Sequence, residues 1–324
     1  IGANVAIFAV VDAILVRPLP FPESERLVSV FNAYPRAGVE RSSSSVANYY
    51  DRRTGIKAFS AVSAYQNDSV IVGEAGTPKR VPITRVTPDF FATLRVPFTM
   101  GKTFTDAEMA YGPDEVAILT DGFWRSQFNA DPNVLGKKFF NNGLAITVIG
   151  VLSKDFRFLA GRAQFFRPAS HEPNQRQPDN RHSNNWQMIA RLAPGVTLAE
   201  AQAQMDAFNV QQLTDDPLKE RVKEAGYRTS VQPLHADYIR TVKPMLVLLQ
   251  GGVLFLLLIV PVPSRPTTIV LATDAQLVAK RPVIVSGTVN SSRAVERHGA
   301  IWTETSLTVD ESLRGKTGSE IIIR

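Results

Sequence analysis

The chain has 324 residues and no cysteine, which excludes disulfides, cysteine-ligated zinc and thiol catalysis. Its 44% hydrophobic and 20% charged content suits a folded protein, long enough for two domains or for one large domain with appendages. The net charge of +6 comes from scattered cations such as Arg52-Arg53 and Lys137-Lys138, with no basic stripe or module of the kind that binds nucleic acid.

Ile1 to Val16 is apolar apart from Asn4 and Asp12 and ends in the stiff exit Arg17-Pro18-Leu19-Pro20. It lacks the basic start and small-residue cleavage site of a signal peptide, and it is expected to be the second half of a transmembrane helix. Leu27 to Phe31 is a strand candidate. Ser42 to Ser45 offers a helix cap, and Val46, Tyr49 and Tyr50 follow helical spacing into Arg53. Ser63 to Val72 and Arg80 to Val86 alternate as strands, with turn residues Gly73, Gly76 and Pro78 between them.

Thr87-Pro88-Asp89-Phe90 is expected to start a helix, with Thr87 as the cap and Pro88 at the first position, where a missing N–H costs nothing. Val96-Pro97 ends it. Val116 to Leu119 is a short buried strand, and Thr120 caps a helix carrying Phe123, Trp124 and Phe128. Lys138 to Asn141 and Leu144 to Leu152 form a hairpin around Asn142-Gly143. Phe156, Phe158, Phe165 and Phe166 are core candidates.

His171 to Asn185 is polar almost throughout and is expected to be a surface loop or mobile flap. Trp186 to Leu192 is strand-like. Thr197 to Glu200 is a capping box, and Leu198, Ala201, Met205 and Phe208 then mark one apolar helix face. Arg228 to Leu234 is a further strand. Asp237 begins a segment, kinked at Pro244, that leads into Met245 to Val260. At about 1.5 Å per residue those roughly 16 uncharged residues span about 24 Å, short of a bilayer core of about 30 Å. The run reads as a second transmembrane helix cut short, or else as a buried core helix.

After Pro263 the character changes. Ser264 to Thr268 is a linker and Thr273 to Lys280 a short helix. Val283 to Val289, Ile301 to Val309 and Glu320 to Ile323 are strands, and Ser291 to Gly299 and Gly315 to Gly318 are turns.

No catalytic, cofactor or metal site emerges. Gly101-Lys102-Thr103 and Gly315-Lys316-Thr317 lack the upstream glycine of a phosphate loop, since Val96 and Asp310 hold that place. His171, His182, His235 and His298 show no ligand spacing. His171 and His182 share the polar loop with Glu172 and Asp179, a weak metal set at best. Ser42 to Ser45 form a turn rather than a nucleophile elbow, and Asp237 has no second carboxylate at fixed spacing.

Ile1 to Val30 resembles the first membrane helix and exit of MacB-type ABC transporter permeases, in the branch of duplicated orphan permeases. Asn4, Arg17, Pro18, Leu19, Pro20 and Arg26-Leu27-Val28 carry the likeness. In the same order follow Val86 to Phe91, Gly101 to Phe104, Phe123-Trp124, Asp131-Pro132, Leu135-Gly136, Val148 to Val151 and Arg191 to Thr197, up to about residue 259.

The resemblance implies an α+β, two-lobed periplasmic core domain between two partial transmembrane helices, followed by a small β-rich tail. The expected boundaries are 1–17 for helix one, 18–243 for the core domain with a middle lobe at about 96–183, 244–260 for helix two, and 261–324 for the tail. It also implies a non-catalytic permease subunit in the inner membrane, moved by a separate ABC ATPase, with the lipid bilayer as its other partner. A second permease copy or a periplasmic adaptor is a further candidate. A membrane-tethered periplasmic sensor or scaffold is the alternative, and an enzyme the third.

Three departures from the family pattern stand out. Arg95 replaces a usual glycine, Leu152-Ser153 replaces a proline-containing pair, and Pro261-Val262-Pro263 interrupts helix two. Past that point the tail is either a genuine β-rich domain or the product of a fused or misassembled reading frame. Its Val309 to Gly315 pattern resembles the ends of small secreted β proteins.

Overall fold

A computed structural model describes residues 14–15, 17–73, 78–110, 116–159, 161–259, 284–297, 300–314 and 320–323. Two compact units divide at Leu256/Leu257.

In the first unit the chain runs β1 (Leu27–Ala33), α1 (Val46–Gly55), β2 (Phe59–Val72), β3 (Lys79–Val86), α2 (Phe90–Leu94), β4 (Phe98–Gly101), β5 (Val116–Leu119) and α3 (Asp121–Phe128). It continues through β6 (Lys138–Asn141), β7 (Leu144–Leu152), β8 (Phe165–Pro168), β9 (Gln187–Leu192), α4 (Leu198–Gln212), α5 (Lys219–Glu224), β10 (Arg228–Pro233) and α6 (Leu234–Ile239), and α7 (Lys243–Ile259) begins in it and ends past the division.

Ten strands make one sheet in the order β10-β1-β9-β2-β3-β8-β5-β7-β4, with β6 pairing β2 and β7. Its two ends come from different parts of the chain. β1, β2, β3, β9 and β10 lie at one end, and the strands between residues 98 and 168 at the other. The ends meet in a short parallel ladder of β3 on β8, from Ile83↔Phe165 to Val86↔Pro168, and at one β2–β6 pairing, Val72↔Asn141.

Local signals account for most of these elements. Ser45 and Asn48 form a reciprocal capping box at α1, and Thr197 and Glu200 do so at α4. Asn142 and Gly143, both at positive φ (48° and 80°), make the two-residue hairpin turn between β6 and β7. Gly101 must be glycine: its φ is +84°, and a Cβ there would lie 2.2 Å from the Ile149 carbonyl oxygen.

β1 is buried along its whole length. Leu27 faces one cluster with Phe90, Phe91, Phe158 and Phe166, while Val28 and Val30 face a second with Tyr49, Val62, Met188 and Met205. Alternate residues of a strand point to opposite faces, so a strand covered on both sides must be apolar at consecutive positions. A third cluster gathers Phe123, Trp124, Phe139 and Phe165 at the other end of the sheet.

Several expectations need correction. Thr87 does not cap α2. Its hydroxyl instead accepts from the Ala64 N–H at 3.0 Å, stitching the helix start to β2. Phe98–Gly101 and Phe165–Pro168 are strands because the sheet recruits them, although neither is long enough to show a period. α5 was not expected either; its single buried residue is Val222.

The apolar run is helical as far as Ile259, but the 17 residues of α7 reach only about 25 Å. Among the described residues, no helix is long and apolar enough to cross a membrane. A buried core helix is excluded over its first turns, where Met245 and Leu248 are 71% and 76% exposed.

The second unit holds the antiparallel sheet β11 (Ile284–Arg297), β12 (Ala300–Arg314) and β13 (Glu320–Ile323). The turn expected from Ser291 is strand as far as Arg297, because a register shift between Val289 and Ser291 absorbs the irregularity and the pairing with β12 resumes. The expected first transmembrane helix lies outside the described residues apart from Ile14, Leu15 and Arg17. So do Gly76, Val260, the Pro261–Pro263 break, the 264–268 linker, the 273–280 helix, His298 and the 315–318 turn.

Tyr65 packs edge-on against Phe158 at 4.9 Å between centroids, and burial pushes its hydroxyl up to about 12 from 10.0. Its folded pKa lies above its unfolded one, so its contribution to stability is complete below pH 10 and is lost as pH rises through 12. Absorbance titration is expected to show one tyrosinate fewer near pH 12 in Tyr65→Phe, and the variant should lose less stability over that interval than the parent.

Candidate functional site

The weighed residues separate in the fold. Gly101-Lys102-Thr103 closes β4 against Ile149, with the Lys102 N–H donating to Ile149 O at 3.1 Å, and forms no anion cradle. His171 is buried, its Nδ1 lying 2.8 Å from Ala169 O and its Nε2 accepting from Arg176 Nε at 2.8 Å. His182 lies between the Asp216 carboxylate at 3.0 Å and the Tyr34 hydroxyl at 2.8 Å. Glu172 and Asp179 are exposed. Among the described residues no group of three or more His, Asp and Glu could hold a metal ion.

Residues 171–185 form the surface loop expected, tied down by polar contacts. Two short 3-10 turns, Pro173–Arg176 and Pro178–Asn180, shape them. Arg181 donates to Asp51 at 3.0 Å and Asp215 at 3.1 Å, and the Asn185 N–H donates to Ser44 O at 3.0 Å. The charged and amide side chains that made the segment look like solvent-exposed loop are its anchors.

Beneath the loop lies Arg52, with no exposed surface. Its Nη1 donates to Ser44 Oγ at 2.9 Å, and its Nη2 to Asn32 Oδ1 at 2.6 Å and Thr229 Oγ1 at 2.9 Å. No carboxylate among the described residues pairs with it, and its Nε is buried without a partner. Burial lowers its pKa from the ordinary arginine value. The charge is retained because each neutral acceptor makes a charge-assisted bond. Asn32 extends the network, giving its Nδ2 to Asn48 Oδ1 at 3.0 Å and Asn184 Oδ1 at 2.8 Å. Asn184 in turn donates to the Tyr34 hydroxyl at 3.0 Å. One cation thus ties α1, β1 and β10 to the loop.

The second constellation lies where the chain joins and leaves this unit. Leu19 and Phe21 are buried in the same cluster as Leu234, and His235 Nε2 lies 3.0 Å from Ile14 O. β1 pairs with β10 from Val28↔Pro233 to Ala33↔Arg228, so the two ends of the domain run side by side.

A clasp of arginines fixes the incoming strand. Arg191, 2% exposed, donates to Thr93 O at 2.8 Å and to Glu23 O at 3.0 Å. Arg26 donates to Leu192 O at 2.6 Å through Nη2. The Glu23 carboxylate pairs with Arg95 and Arg26. The Arg95 hydrogen bond is the largest cause holding that carboxyl below its ordinary value. Arg95 ends α2 in the left-handed region (φ 56°, ψ 47°), which is why glycine suits the position. A side chain there costs roughly 1 kcal/mol of backbone strain. Here it reaches Glu23, which itself has φ 49°.

The MacB-like periplasmic core domain model matches residues 1–208. No curated protein matches the chain. Among solved structures, a domain of a putative permease protein from Porphyromonas gingivalis aligns at TM-score 0.50 and 17% identity, over 66% of this chain and 93% of that one. The periplasmic region of MacB from Actinobacillus actinomycetemcomitans aligns at TM-score 0.47 and 13% identity, over 72% and 98%. The extracellular domain of the noncanonic ABC-type transporter YknZ from Gram-positive bacteria aligns at 0.42 and 14%, over 64% and 99%. At 17% identity the likeness to the P. gingivalis domain is one of fold.

Two outcomes are expected. Arg52→Met leaves Asn32, Ser44 and Thr229 without their donor and should cost about 2–3 kcal/mol in urea unfolding; a variant as stable as the parent would contradict the keystone role. The Glu23 pKa is lowered in the fold, so its stabilising effect is present above 4.5 and fades as pH falls below that value. Glu23→Gln should therefore flatten the acid limb of the stability–pH profile and leave the alkaline limb unchanged.

Proposed function

Because the chain belongs to the family of MacB-like periplasmic core domains, we propose that it is part of the permease subunit of an ABC-type transporter. In this reading residues 1–17 and 244–260 are parts of two transmembrane helices and residues 18–243 lie on the extracytoplasmic side. The strands between residues 98 and 168 belong to a middle lobe at about 96–183, and residues 261–324 are a separate β-rich tail. A separate cytoplasmic ATPase supplies the energy, and the domain relays the resulting movement without chemistry of its own.

The convergence of the two ends carries this reading. A domain inserted between neighbouring membrane helices must return its chain to where it left, and the His235–Ile14 contact and the β1–β10 ladder do that. The Arg191 and Glu23 clasp couples the incoming strand to α2 and β9, so a pull on one helix reaches the centre of the sheet. The apolar residues of α7 are exposed directly beyond Arg240 and Lys243, the order of an interfacial boundary followed by a lipid-facing segment. The fold-sharing domain from P. gingivalis comes from a putative permease, in keeping with this role.

Expressed in a Gram-negative host, the protein is expected in the membrane pellet after carbonate washing. In spheroplasts, externally added protease should cut within residues 18–243, and an ABC ATPase should co-purify from detergent extract. Quantitative recovery in the soluble fraction, or full protection of the domain in intact spheroplasts, would reject the reading.

A further inference from the structure

Between the 171–185 loop and the sheet lies a cleft of about 420 Å³. That is within the roughly 300–1,000 Å³ common for small-ligand pockets. Its floor includes the cross-strand pair Gln66↔Arg85, and its wall carries Asn174, Gln175, Asn180 and Asn185. The transport reading assigns these residues no task.

Three observations point to a ligand. First, the cleft is built in advance. Gln66 Nε2 donates to Asn185 O at 3.0 Å and Asn180 Nδ2 to Asn174 O at 2.9 Å, while Arg181 and His182 pin the loop from behind. A preformed wall spares a ligand the entropy of ordering it. Second, hydrogen-bonding groups remain unused. The Asn174 and Asn185 carboxamides have no partner among the described residues, and Arg85 Nε is buried without one although its Nη2 pairs with Asp68 at 3.1 Å. Third, the lining is mostly polar. It contains no aliphatic side chain, its rings are His171 and Trp186, and the charge of its one arginine is met by Asp68.

A carboxamide donates and accepts at once, and so does a hydroxyl. We infer that the cleft binds a neutral, hydroxyl-rich saccharide through the carboxamides of Asn174 and Asn185, with Gln66 and Arg85 beneath it. The inference stands on the cleft alone and does not require the transport reading.

The test is thermal unfolding of the full chain with glucose, N-acetylglucosamine, maltose or maltohexaose at millimolar concentration, beside triglycine and sodium phosphate. At least one saccharide is expected to raise Tm by a few degrees, since a ligand that binds only the folded state stabilises it. A larger shift with maltohexaose than with maltose identifies a glycan chain as the source; equal shifts identify a free sugar. The double variant Asn174→Ala/Asn185→Ala, at two exposed positions, should keep the unliganded Tm and lose the shift. Asn174→Leu alone gives the same readout should the double variant unfold. No shift with any saccharide, a shift that survives both variants, or an equal variant-sensitive shift with triglycine or phosphate would overturn the proposal.

Discussion

A guanidinium with no exposed surface and no ion-pair partner among the described residues constrains one end of the ten-stranded sheet. Taking such a charge out of water costs several kcal/mol even after relaxation. The structure offsets that cost with oxygens drawn from separate elements: Ser44 before α1, Asn32 on β1 and Thr229 on β10. Each must be in place for the others to be satisfied, so the network enforces one mutual arrangement of these elements. Apolar packing of Val28, Val30 and Met205 would tolerate small slides between them. The directed bonds to Arg52 do not.

The same end of the sheet carries the junction with the apolar segments. There Arg95 ends α2 in the left-handed region, and its presence has a physical account. Glycine would occupy the left-handed position without strain. Arginine accepts the strain and adds an ion pair to Glu23, beside the segment that leads in from residue 17. The four-residue β3–β8 ladder is by contrast the slender link between the two ends of the sheet, where relative motion costs the fewest bonds.

Much of the fold was legible in the sequence. Ser45 and Thr197 announced their helices, Asn142-Gly143 its hairpin, and β1, β2, β3, β5, β7, β9 and β10 showed strand patterning near their observed positions. The ordered residues from Arg17 to Thr197 pointed to the family that the comparison confirms. These signals are local: a cap, a turn or an alternation acts within a few residues, so one stretch of chain contains all of it.

The functional constellations were not legible for the converse reason. Arg52 sits in a pair with Arg53 and looks like any surface cation, and only its distant partners Asn32 and Thr229 make it a keystone. The segment from His171 to Asn185 is polar because its side chains reach Asp51, Asp215, Asp216 and Asn32, which composition alone does not separate from solvation. β4 and β8 are too short to carry a period and become strands only beside β7, β3 and β5. The sequence by itself determined the local elements and the family. Tertiary structure decided which charges are buried, which contacts hold the 171–185 loop and where β1 and β10 meet, because desolvation and pairing depend on neighbours that lie tens to hundreds of residues away along the chain.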